Sequence, residues 1–136
     1  MVYEIEPVTS RHAADCGPAS LAAFLKYYGY DVTLEGMREA CHVGLHGCSG
    51  RDIMDAARSV GMDTITAYLC SADDVIEADS PCICFWSYNH WLVYSGIDND
   101  GRVVVVNPCR GRYHIEPSLF KALFTEVAIY KERIEE

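Results

Sequence analysis

Basic residues are scarce in this chain: 11 Lys and Arg stand against 20 Asp and Glu, for a formal charge of −9 and a pI near 4.9. That balance argues against nucleic acid and anionic membrane as partners. No apolar run reaches the length of a membrane span, and the longest, around "VIEADSPCICFW", is broken by charge and proline. The first residues, "MVYEIEP", hold neither a basic region nor an apolar core, so no signal peptide is expected. Internal repeats and low-complexity tracts are missing, as is any glycine-rich phosphate loop, and no nucleotide or other cofactor is expected. The seven cysteines are an odd number in no small disulfide scaffold's spacing. In the cytoplasm, where the absent signal places the chain, they read as free thiols, most of them packing residues.

What is present fits one domain over residues 1–136, with half of the residues hydrophobic and 23% charged. The first half reads as helical. Asp15 stands as N-cap of a helix to about Tyr28, with Leu21, Phe24, Leu25 and Tyr28 on one apolar stripe and Gly29 at its end. Thr33 caps a second helix to about Cys41. Ser49 and Asp52 form a capping box, its acid one carbon short, at the start of "GRDIMDAARSVG". The period then changes. "TITAYLC", "CICFWSY", "WLVYSGI", "RVVVV", "RYHI" and "VAIYK" read as strands, with short helices at about Ala72–Ala78 and Pro117–Phe124. "DNDG", Asp98 to Gly101, is a hairpin turn between two of the strands. Helices first and antiparallel strands later make an α+β layout.

In "HAADCGPASLAAFLKYYG" a cysteine falls where the first helix begins. The unpaired N–H groups of a first turn and the positive end of the macrodipole favour a thiolate, which makes Cys16 a candidate nucleophile. A catalytic thiol needs a base, and the base needs a group that orients it. His90, in "WSYNHWLVYSG", lies where one strand-like run gives way to the next; alone it would read as a half-buried sheet histidine. Asn107 precedes Pro108, which cannot continue a central strand, so Asn107 ends its strand; alone, Asn-Pro would read as a turn. Strands joined at "DNDG" can bring His90 and Asn107 side by side. Cys, His and Asn in that order, on elements that can converge, point to a papain-type triad.

Other clusters compete less well. "CHVGLHGC", Cys41 to Cys48, offers two thiols and two imidazoles to zinc, but its spacing matches no compact finger. Its "HGCSG" end also reads as a turn into the Ser49 cap, and no metal site is assigned. Cys82 and Cys84 share one strand face and read as core. Asp98 and Asp100 belong to the turn, and Glu132, Glu135 and Glu136 to a solvated tail.

"DCGPASLAAFLKYYG", "RDIMDAARSVGM", "SPCICFWSYNHWLVYSG" and "VVVVNPCRGRYHI" together resemble the papain-like peptidase domain of bacteriocin-exporting ABC transporters. The resemblance runs from about Pro7 to Tyr130 and is nearest to the branch serving lanthipeptide exporters. It implies a papain-like fold, with an N-terminal helical half packed on a C-terminal antiparallel sheet. It also implies cleavage of leader peptides after a double-glycine type pair, with Cys16 as nucleophile and His90 as base and acid. The implied partners are a precursor leader peptide and the transmembrane and ATPase domains of an exporter, at the cytosolic face of the membrane. A place as the N-terminal domain of a longer transporter is left open.

Two positions depart from the family's pattern. Asn107 falls where most members carry Asp before Pro; it can orient the imidazole but brings no charge. Ser10 stands where the family places a glutamine six residues before the cysteine, whose amide donates to the oxyanion. The Cys16 backbone N–H remains as the second donor, and Arg11 or His12 is the candidate substitute for the first. A rival reading is therefore a leader-binding relative that does not cut. A third is a small metal-binding domain built on the Cys41–Cys48 loop.

Overall fold

Cap chemistry starts the helices where the sequence puts it. The computed structural model describes residues 1–132. A single 3-10 turn (Ala13–Asp15) leads into α1 (Cys16–Tyr27). The Thr33 hydroxyl accepts the Gly36 N–H at 3.0 Å and opens α2 (Leu34–Ala40). The Ser49 hydroxyl accepts the Asp52 N–H at 3.1 Å while the Asp52 carboxylate takes the Ser49 N–H at 3.0 Å, and α3 (Gly50–Ser59) follows.

Asp15 is the exception among the caps. It occupies the N-cap position of α1, but its side chain makes no capping bond. Its carboxylate is wholly buried and turned backwards, taking the N–H groups of Arg11 and His12 and the Arg38 guanidinium. The helix itself is buried all round from Cys16 to Leu25, rather than on the single stripe expected. It is the inner element of the helical half, against α2, α3 and the sheet. Phe24 is fully enclosed there, and truncating such a side chain costs about 3–5 kcal/mol.

The remaining elements are β1 (Ile65–Leu69), α4 (Ala72–Ala78), β2 (Cys82–Trp86), β3 (His90–Ile97), β4 (Val103–Asn107), β5 (Gly111–Ile115), α5 (Pro117–Leu123) and β6 (Phe124–Lys131). The strands form one antiparallel sheet in the order β1-β6-β2-β3-β4-β5. Inserting β6 between β1 and β2 locks the end of the described chain into the sheet's interior. The Asp98 carboxylate holds the β3–β4 turn by accepting the N–H groups of Asp100 and Arg102.

Strand alternation divides the core in two. Ile83, Val93, Val106 and Ile129 face the cluster around α1–α3. Cys82, Cys84, Leu92, Tyr94, Val103 and Val105 face a second cluster, closed by Val75 of α4 and Phe120 of α5. The α+β layout with a helical half on a sheet holds, and the sheet is covered on its other face as well.

Two features differ from the sequence reading. The N-terminus lies along β3, where the Tyr3 N–H donates to the Ser95 carbonyl at 2.9 Å. Glu132 is tied to β1 rather than solvated: its N–H donates to the Thr64 carbonyl at 2.7 Å, and its carboxylate takes the Tyr68 hydroxyl. Glu135 and Glu136 lie outside the described residues. Among the described residues no helix is long and apolar enough to cross a membrane. The folding leaves Cys16 at the start of α1, His90 at the start of β3 and Asn107 at the end of β4.

Candidate active site

Those three positions meet where the helical half abuts the sheet. The Trp91 N–H donates to Cys16 Sγ at 3.5 Å, which fixes the thiol against the first residues of β3. His90, the residue before, places Nε2 3.1 Å from Asn107 Oδ1. That oxygen also accepts the Cys109 N–H at 2.9 Å. A backbone N–H can only donate, so it holds the amide with its oxygen towards the ring. His90 Nε2 is then the protonated nitrogen, and Nδ1 carries the lone pair.

The electrostatics bear on one expectation. Burial pushes the Cys16 thiol up, and the Trp91 and Gly17 N–H groups offset this only in part. Cys16 is 7% exposed, and desolvation disfavours a charged sulfur there. Burial likewise pulls His90 below the ordinary imidazole range, against the opposing Asn107 hydrogen bond. Asn107 brings no negative charge to hold an imidazolium. Both burial effects oppose the thiolate that the helix start favours.

Ser10 and its neighbours bear on the oxyanion. The Ser10 N–H donates to the Pro108 carbonyl at 2.9 Å, which ties this segment to the turn after Asn107. Its hydroxyl is buried and has no hydrogen-bond partner. The Arg11 and His12 N–H groups are already taken by Asp15, at 3.1 and 2.9 Å. The Arg11 guanidinium is exposed and lies 3.5 Å from Glu35 of α2, so it is engaged elsewhere. Asp15 acts as a clamp for the segment. Its burial favours the neutral acid, but the Arg38 guanidinium at 2.7 Å and the two N–H groups hold its carboxyl below the usual range.

Sequence reasoning missed the walls of the cleft. A cavity of about 220 Å³ opens at Cys16 between Ala13, Ala14, loop residues 45–47, Tyr88 and Asn89. The Asn89 amide donates to the His46 carbonyl at 3.2 Å and joins the two loops. The Cys41–Cys48 stretch is thus one flank of the cleft. Cys41 is fully buried, and its hydrogen bond with Cys48, together with burial, pushes the Cys48 thiol up. Among the described residues no three His, Cys, Asp or Glu side chains come together as a metal site.

Trp91 was also missed. Its indole N–H donates to the Cys48 carbonyl at 3.3 Å, while its backbone holds the thiol. Gly17 allows this packing, because a Cβ there would stand 2.4 Å from Cys48 Sγ and 3.4 Å from the Trp91 ring. Gly17→Ala is expected to lower stability by about 1–3 kcal/mol. Adding Cys48→Ala should restore most of the loss, as read by urea denaturation of the single and double variants.

A helix-borne thiol bonded to the strand that carries a paired imidazole and amide, on this α+β frame, fits a papain-like cysteine peptidase. Residues 4–136 match the Peptidase C39 family, and the chain belongs to it. It is 28% identical over 116 residues to the probable microcin-H47 secretion/processing ATP-binding protein MchF of Escherichia coli, covering 85% of this chain. The chain spans only 16% of that relative's length. Among solved structures it resembles a double glycine motif protease from an AMS/PCAT transporter in complex with its leader peptide, with a TM-score of 0.81 and 27% identity. That match covers 93% of this chain and 96% of the other. The peptidase domain of Streptococcus ComA, a bi-functional ABC transporter, shares the fold with a TM-score of 0.84 at 22% identity, over 93% and 97% of the two chains.

Proposed function

We propose that this chain is a cysteine endopeptidase that removes leader peptides after a double-glycine type pair. The observation that carries the reading is the Cys16 thiol, held by the Trp91 N–H beside a His90 ring oriented by Asn107. Cys16 Sγ attacks the carbonyl carbon of the second small residue as its proton passes to His90 Nδ1. His90 gives that proton to the leaving amine, the C–N bond breaks and an acyl-enzyme remains. Water then attacks the thioester with His90 as base, and the thiol is regenerated. The Cys16 N–H serves the oxyanion, and the serine at position 10 leaves the second donor of the family's pattern unfilled.

The family match and the leader-bound relative support this substrate class. The cavity at the thiol, lined by Ala13, Ala14, Leu45, His46, Gly47, Tyr88 and Asn89, offers a place for the scissile pair. The whole chain is one catalytic domain, at the N-terminus of an ABC exporter whose transmembrane and ATPase domains are its partners at the cytosolic face. No metal or cofactor takes part in these steps. Incubating the protein with a synthetic double-glycine leader, with cleavage and binding read separately, tests the assignment. The orphaned Ser10 hydroxyl favours one alternative, a leader-binding domain that has lost efficient cutting. Binding without cleavage would establish it.

The pH profile should report the protonation of His90. His90 must be unprotonated to take the thiol proton, so the rate rises as pH rises through its lowered pKa. The acid limb of kcat/KM is expected below about 6.5. Asn107→Asp places a negative charge beside the ring and should move that limb up by about 1 unit or more. An acid limb unmoved in Asn107→Asp would show that residue 107 does not set the base.

A further inference from the structure

We infer that Leu45 and Tyr88 form an apolar clamp that holds the leader residues next to the scissile bond against Cys16. The inference rests on the peptidase reading and names the side chains that grip its substrate. Exposed large apolar side chains are few among the described residues, and Leu45 and Tyr88 are 91% and 74% exposed. Both line the cavity at Cys16. The Tyr88 ring also lies 6.3 Å from the His90 ring, centre to centre. A lone exposed leucine needs no explanation, but two such side chains at one cavity mark a surface that a partner covers. The occupant is the peptide beside the cleaved bond, because the nucleophile lines the same cavity.

Core packing places neither side chain; each rides the tip of a pinned turn. Gly44 and Gly47 exchange backbone hydrogen bonds at 3.1 and 3.2 Å, which leaves Leu45 and His46 at the tip between them. At the other turn, Ser87 donates its N–H and its hydroxyl to the Leu123 carbonyl at 2.8 and 3.2 Å. The Asn89 amide donates to the His46 carbonyl and ties the two tips together. Tyr88 and Asn89 both have positive φ, 57° and 58°. Asparagine tolerates that region, whereas a tyrosine is strained there. Such strain persists where surrounding bonds fix the backbone, and it clusters at ligand clamps. Glycine or asparagine would serve the fold better at position 88, so the contribution of the ring lies in what docks on it.

The Cys16→Ala chain, which cannot turn over, is the background for binding. In it, Leu45→Ser and Tyr88→Gly should each weaken a synthetic double-glycine leader that extends past the glycines. The expected loss is about 3- to 10-fold, the scale of one apolar or aromatic contact. The same leader ending before the glycines should bind both variants as it binds the parent. In the active chain kcat/KM should fall by the same factor, through KM, because the clamp grips ground state and transition state alike. The urea midpoint should hold in Leu45→Ser and hold or rise in Tyr88→Gly, where a strained φ is relieved. Tyr88→Phe should bind and cut like the parent, since the ring makes the contact. Weakening that is equal for both peptides, or absent for both, would overturn the inference. A fall in urea midpoint that accompanies the loss would overturn it too. If the active parent cuts no leader, the peptidase reading fails by itself, and the paired isotherms still decide the clamp.

Discussion

Cys16→Ala should abolish leader cleavage while leaving leader binding intact. Without Sγ there is no acyl-enzyme, and His90 and Asn107 have nothing to activate. Loss of a nucleophile that works as a unit with its base costs on the order of 10⁴-fold or more in kcat. The fold should tolerate the change, because the helix is held by residues such as Leu21, Phe24 and Leu25 rather than by the thiol. His90→Ala should cost about as much, and adding it to Cys16→Ala should cost almost nothing further. Additive losses would mean that the two residues do not act on one step. An isotherm for the uncleaved leader on Cys16→Ala separates chemistry from recognition.

Ser10→Gln should raise the rate. A serine is too short to copy a glutamine amide, and its hydroxyl is buried without a partner. One restored oxyanion donor is worth up to about 10²-fold, or roughly 2.7 kcal/mol of transition-state stabilisation. The donor acts on charge that develops during attack, so leader affinity should change little. Single-turnover cleavage beside a binding isotherm reads both quantities. An efficient parent that gains nothing from the change would point to another donor. Arg11 is a poor one, with its N–H taken by Asp15 and its guanidinium beside Glu35. The exposed His12 side chain is then the first to test.

The sequence discloses what short-range chemistry decides. Thr33 and Ser49 declare helix starts because their hydroxyls bond backbone three residues on. Asp98 and Gly101 declare a hairpin for a similar reason. Pro108 ends β4 and so puts Asn107 at a strand terminus, which made the His90–Asn107 pairing legible.

Long-range partners hid the rest. Asp15 has the composition of an N-cap, and only Arg38, 23 residues away, shows why its carboxylate turns elsewhere. The helix N-terminus promised a thiolate. The burial that opposes this comes from tertiary packing, and no local pattern encodes it. The Cys41–Cys48 stretch offers two thiols and two imidazoles to zinc on sequence alone, while the place of its residues 45–47 beside Tyr88 and Asn89 depends on the whole fold.

The claim at the centre is that Cys16 attacks the carbonyl after a double glycine. A leader peptide ending in Gly-Gly chloromethyl ketone tests it most directly, since the alkylated residue can be mapped by tandem mass spectrometry. The account predicts a single adduct, on Cys16, that is lost in His90→Ala and when the two glycines are replaced by leucine. An adduct on the exposed Cys109, or on Cys48, with Cys16 unmodified would contradict it.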